Sequence, residues 1–241
     1  MVYFFFSSLA SLASFHSFCL KQAEILSLDF LEKWRDVGPM HFVPAAIPAK
    51  LSDGSELLLR EVTVDDRERA MDAFDRLSAG DVAMRFWRDL IAIDDDLLDR
   101  LTSADQINHI VWCALNPDRL EDPGYGAGSV WRLKTDPSVG EVSITVLPDY
   151  QGRGLGVVLF SLLWVLSRLL GMETLRANVL NANIRALSWF KRLGGEVHSQ
   201  GAFYEIDFSL CSQVQADSRI PCQVDLAHWV EFFQEQFSGA E

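Results

Sequence analysis

Gly140-Glu-Val-Ser-Ile-Thr-Val-Leu-Pro-Asp-Tyr-Gln-Gly-Arg-Gly-Leu-Gly156 decides the reading of this chain. Its first half alternates as a strand does. Its second half is a glycine-punctuated turn, and an apolar stretch from about Val157 to Leu170 follows that predicts a buried helix. A strand feeding such a turn leaves the first N–H groups of the helix without intrahelical partners. Together with the positive end of the helix dipole, they suit an anion. Gly152, Gly154 and Gly156 carry no Cβ, so a phosphate can approach the main chain closely. Two readings of the turn stand on these residues alone: a phosphate cradle or a structural turn. It is not a Walker loop, because no Gly-Lys-Ser/Thr follows, and its glycines are spaced too closely for a dinucleotide fingerprint.

A second segment lies about 25 residues downstream: Asn181-Ala-Asn183-Ile-Arg-Ala-Leu-Ser-Trp-Phe-Lys-Arg-Leu-Gly194. Gln151-x-x-Gly154-x-Gly156 resembles the acetyl-CoA pyrophosphate loop of the GNAT acetyltransferases, and the second segment resembles that family's next cofactor helix with its closing Leu-Gly. Upstream, Leu51-Ser-Asp-Gly54, Leu59-Arg-Glu61, Arg76-Leu-Ser and Arg85-Phe-Trp resemble the opening of the bacterial protein-lysine acetyltransferase branch. The resemblance runs from about Lys50 to Leu210.

It implies an acetyl-CoA-dependent transferase with a definite set of residues. Ile144, Thr145 and Val146 would pair with the pantetheine arm, and Val146 N–H would donate to the oxyanion. Gln151, Gly152, Arg153, Gly154, Leu155, Gly156 and Val157 would hold the pyrophosphate, with Asn183 a further cofactor contact. Glu141, ten residues before Gln151, falls where this branch carries its general base. The bland readings are a solvent-facing Arg153, a strand-start Glu141 and a helix-capping Asn183. Two positions depart from the pattern. Phe190 stands where many relatives have a proton-donating tyrosine, which leaves Tyr204 as a distant substitute, and Gly195 replaces an aromatic that often follows Leu-Gly.

Composition bounds the rest. The 241 residues carry a net charge of −13, which argues against a nucleic-acid surface and suits a cationic acceptor, although solubility alone accounts for most acidic residues. Asp94-Asp95-Asp96 reads as a solvated helix start rather than a metal site. Cys19, Cys113, Cys211 and Cys222 show no metal or disulfide spacing, no histidines pair at ligand spacing, and a reducing cytoplasm is the default. Cys113 reads as core. Residues 1–20 are apolar but diluted by five serines, which leaves a docking extension, a weak membrane anchor or a mis-assigned start.

The organisation expected is a 1–45 extension and linker, a 46–210 GNAT domain, and a 211–241 extension with an amphipathic helix. The fold class is α/β: a central mixed, twisted sheet of about six or seven strands with helices on both faces. Three functions compete. They are acetylation of a protein lysine, acetylation of a small amine such as a polyamine, amino acid or antibiotic, and a non-catalytic acyl-CoA-binding module.

Overall fold

The structure, a computed structural model, describes residues 45–86, 93–210 and 214–238. The readings of residues 1–44 and of Cys19 and Cys211 lie outside these residues. In chain order the elements are β1 (Ile47–Lys50), β2 (Glu56–Glu61), α1 (Arg67–Asp75), α2 (Ala79–Phe86), α3 (Asp95–Thr102), β3 (His109–Leu115), β4 (Gly126–Arg132), β5 (Val139–Val146), α4 (Leu155–Leu169), β6 (Thr174–Leu180), α5 (Ile184–Arg192), β7 (Glu196–Ser199), β8 (Phe203–Ser209) and α6 (Pro221–Ser238).

The eight strands form one sheet in the order β1-β2-β3-β4-β5-β6-β8-β7. Every pair is antiparallel except β5–β6. The count exceeds the six or seven expected because two strands are only four residues long. β1 contains Pro48. As an edge strand it has no second neighbour to receive the missing N–H. β7 follows Gly195, where any side chain would collide: a Cβ there would stand 2.4 Å from Ile206 Cγ2 and 2.6 Å from Phe208 Cζ. That contact explains why no aromatic follows Leu-Gly.

α4 is apolar all round because it is covered on all sides. On one side it meets Ile110, Trp112, Val130, Val142 and Leu175 of the sheet. On the other lies α6, whose Leu226, Val230, Phe233 and Phe237 recur at helical spacing and are buried in the same cluster. The C-terminal helix is therefore part of the main core. The opposite face of β3 carries Val111, Cys113 and Leu115 in a smaller cluster with Val62. Cys113 is core, as expected, and burial pushes its thiol up to about 11. Asp94 caps α3 by accepting from Leu97 N–H at 2.8 Å, and Asp95 pairs with Arg67 at 2.8 Å, so the acidic triplet is a helix start. Among the described residues no helix is long and apolar enough to cross a membrane.

Candidate active site

β5 and β6 pair only from Val139 to Glu141 on β5 and from Thr174 to Arg176 on β6, although both strands continue. Beyond that point they separate. Hydrogen bonds from Leu133 N to Val139 O and from Leu147 N to Tyr125 O fix which β5 residues bond to β4: Glu141, Ser143 and Thr145, by the antiparallel alternation. The backbone groups of Val142, Ile144 and Val146 therefore face the opened edge. An extended ligand arm fits there as an added strand does.

The edge leads into the glycine turn. Gln151 Nε2 donates to Val146 O at 3.0 Å, and Arg185 of α5 donates to Gln151 Oε1 at 2.6 Å, tying strand, turn and helix together. Gly152 and Gly154 have φ of +78° and +91°, and a Cβ on either would have no atom within 4 Å. Among the described residues, no backbone carbonyl accepts from the N–H groups of Gly152 through Gly156. α4 starts at Leu155, two residues earlier than its apolar pattern suggests, and Val157 N–H already bonds Gly154 O. Open space, unpaired donors and a helix N-terminus fit a pyrophosphate. Arg153 is half-exposed, lies 4.0 Å from Asp53 and rides over the Tyr150 ring. Asn183 caps α5 by accepting from Ala186 N–H at 3.1 Å.

Glu141 sits where the two strands part, on the sheet face away from α4. Burial raises its carboxyl pKa. A hydrogen bond from Asn178 and the charges of Arg85 and Arg176 pull it back, while Glu205 adds to the rise. Arg176 is itself held by Asp207 at 2.7 Å on β8. Arg85 comes from α2 and donates from Nε to Thr145 Oγ1 at 3.1 Å. Burial lowers its guanidinium to about 10, and Glu141 pulls it back up. A cavity of about 130 Å³ between α1 and α2 and this sheet face is lined by Phe74, Arg85, Cys113, Ser129 and Thr145.

The family model described as Acetyltransferase (GNAT) family matches residues 104–195. The chain carries a GNAT acetyltransferase domain. It is 29% identical over 148 residues to Acetyltransferase Pat of Mycolicibacterium smegmatis, a match that spans 61% of this chain and 44% of that protein. The chain thus spans less than half the length of that curated relative. Its fold matches the GNAT domain of S. lividans PAT with a TM-score of 0.64 at 21% identity, covering 71% of this chain and 98% of the other. It also matches an acetyltransferase structure from Salmonella typhimurium solved with its cofactor acetyl-CoA, at TM-score 0.53 and 18% identity, over 67% of this chain and 98% of that one.

In this GNAT domain the sequence-derived set falls into two groups. Ile144, Val146 and Gln151 through Val157 form one continuous strand edge, turn and helix start; Thr145, expected at that edge, instead turns its backbone to β4 and its hydroxyl to Arg85, and Glu141 stands further back on the same strand. Phe190 lies elsewhere, buried among Phe160, Trp189 and Phe208 with ring centroids 4.7–5.9 Å away. Tyr204 shares the α4-side face of β8 with Ile206 and Phe208, the face opposite Glu141, and Lys191 rides over its ring. Four polar residues escaped sequence reasoning as site members: Arg85, Arg176, Asn178 and Arg185. Arg85 stands inside a quoted motif, but nothing in that motif says which strand its side chain reaches.

Proposed function

We propose that the chain is an acetyl-CoA-dependent N-acetyltransferase whose acceptor is a protein lysine, with Glu141 as general base. The observation that carries this reading is one strand, β5, with a burial-raised carboxylate at its paired end and an open edge running from there to an anion cradle. Acetyl-CoA supplies an activated acetyl thioester. The free N–H groups of Gly152 through Gly156 hold its pyrophosphate, and the backbone of Ile144 and Val146 aligns its arm.

A lysine at pH 7 is overwhelmingly protonated and cannot attack. Glu141 removes that proton, and a pKa raised toward neutrality suits the task. The amine nitrogen then bonds the acetyl carbon, the carbon–sulfur bond breaks as coenzyme A leaves as the thiolate, and the nitrogen gives its remaining extra proton to water to leave the neutral amide. At a strand rise of roughly 3.3 Å per residue, Glu141 lies about 10 Å from Ile144 and about 17 Å from Val146, so the proton travels through water. Val146 N–H is the donor expected from sequence. Ile144 N–H shares the open edge and lies nearer the base, which makes it the better placed of the two. With Phe190 in the core, the thiolate takes its proton from solvent, consistent with a thiol pKa within about two units of neutrality.

The protein-lysine acceptor rests on the resemblance of the opening segments and on the acidic balance of the chain. A free-thiol release assay with acetyl-CoA tests the whole reading, run on a cell-extract protein pool and on an amine panel. The expected result is acetyl-lysine above chemical background in the extract, read by mass spectrometry. Turnover on small amines alone overturns the lysine assignment. Coenzyme A binding with no turnover in either arm overturns the enzyme.

A further inference from the structure

Across the face that carries Glu141, strand pairing builds a transverse row. His109 of β3 pairs with Trp131 of β4, Trp131 with Glu141 of β5, and Glu141 with Arg176 of β6. Trp131 and Glu141 form a hydrogen-bonded pair in the β4–β5 ladder, so their Cα atoms stand about 5.5 Å apart and their side chains project from the same face. A tryptophan on a sheet face ordinarily buries most of its surface. Trp131 is 43% exposed, next to the one carboxylate the reaction needs.

It is also held in place. Its ring stacks on His109 with centroids 3.5 Å apart and planes 16° from parallel. His109 is buried and its Nε2 has no hydrogen-bond partner. Burial lowers its pKa to about 4, so the imidazole behind the indole is neutral and does not repel a cation. The indole is therefore fixed from one side, and the face turned away from His109 remains for a ligand.

We propose that Trp131 is an acceptor-binding residue, whose free indole face packs the methylene stem of an alkylammonium and holds the charged head beside Glu141 before deprotonation. The inference rests on Glu141 being the base. The acceptor arrives as a cation with a long apolar stem, and an indole recognises both parts: the stem by burial, the head by attraction to the ring face. A carboxylate alone attracts the head without discriminating the stem. The pairing therefore selects primary amines on extended aliphatic chains, a lysine side chain among them, over short or anionic amines.

The test uses the full chain labelled with 5-fluorotryptophan, saturated with coenzyme A and titrated with n-pentylammonium as the lysine side-chain probe. The Trp131 resonance, assigned by its loss in Trp131→Phe, is expected to move with the titration. In steady-state assays Trp131→Ala should raise the acceptor KM about tenfold, leave the acetyl-CoA KM unchanged, and be largely rescued by Trp131→Phe. An unmoved Trp131 resonance, or an equal rise in both KM values, overturns the proposal. Glu141→Gln in the same assays separates the two ideas. Full activity of Glu141→Gln with a moving Trp131 resonance sinks the base and leaves the platform. A dead Glu141→Gln with a still resonance does the reverse.

Discussion

The two faces of the central sheet do opposite jobs with the same strands. Toward α4, β3, β4, β5 and β6 present Ile110, Trp112, Val130, Val142, Leu175 and Ala177, closed over by helices into a dry core. On the other face the same strands present His109, Trp131, Glu141, Arg176 and Asn178, beside the smaller apolar cluster of Val111, Cys113 and Leu115. Alternation along a strand makes this division automatic. The difference teaches where rigidity comes from. The packed face fixes the backbone, so the polar face can hold a carboxylate at a raised pKa without collapsing around it.

Exchanging the chemistry of one face for inert groups should leave the other untouched, and Glu141→Gln tests this with the largest effect. Turnover should fall about a thousandfold while coenzyme A affinity, read by calorimetry, stays within about twofold. The pH profile gives the sign. Burial holds the Glu141 carboxyl above its usual value, so the base form is lost as pH falls through that raised pKa. The acid limb of kcat/KM then lies higher than an ordinary glutamate gives, and the residual activity of Glu141→Gln lacks it.

The packed face is broken by Phe233→Ala. Phe233 is fully buried between α6 and the α4 core, so its truncation should cost about 3–5 kcal/mol in denaturant unfolding. If α6 were a dispensable appendage, the loss would be far smaller. Any activity surviving at low temperature should keep the wild-type pH profile.

A milder effect is expected at the turn joining the two faces. Gly154→Ala forces a side chain to φ +91°, at the mouth of the proposed anion cradle, and should weaken coenzyme A binding about tenfold. Gly201→Ala is the control, since Gly201 has φ +80° and equally open space but sits in the β7–β8 turn. It should show the strain without the loss of affinity. The smallest effect belongs to Arg85→Gln. The Arg85 charge pulls the Glu141 pKa down, so its removal should move the acid limb of the pH profile upward, by less than the full shift that burial imposes. A downward move would show that Arg85 does not act on Glu141.

Local segments were legible in the sequence. The alternation over Thr174–Leu180 marks β6, and the α5 start at Ile184 follows its capping Asn183. The glycine turn was legible because positive φ and a helix start leave composition signals within a few residues. The short edge strands were not, since four residues carry too little alternation to stand out and Pro48 disguises one of them. Phe190 was legible only as a departure. Its place in an aromatic core with Phe160 and Phe208 depends on packing among α4, α5 and β8.

Sequence by itself determined the GNAT class, the glycine turn at a helix start, and the place of a carboxylate ten residues ahead of Gln151, because each is written in consecutive residues of one strand–turn–helix unit. Only the tertiary structure decided what surrounds that carboxylate. Arg85, His109, Trp131, Arg176 and Asn178 come from one helix and three other strands, and the register that aligns them is set by long-range pairing and burial. No short-range pattern in the chain records which residue of β4 will lie opposite Glu141, so the surroundings of that carboxylate emerge only when the sheet forms.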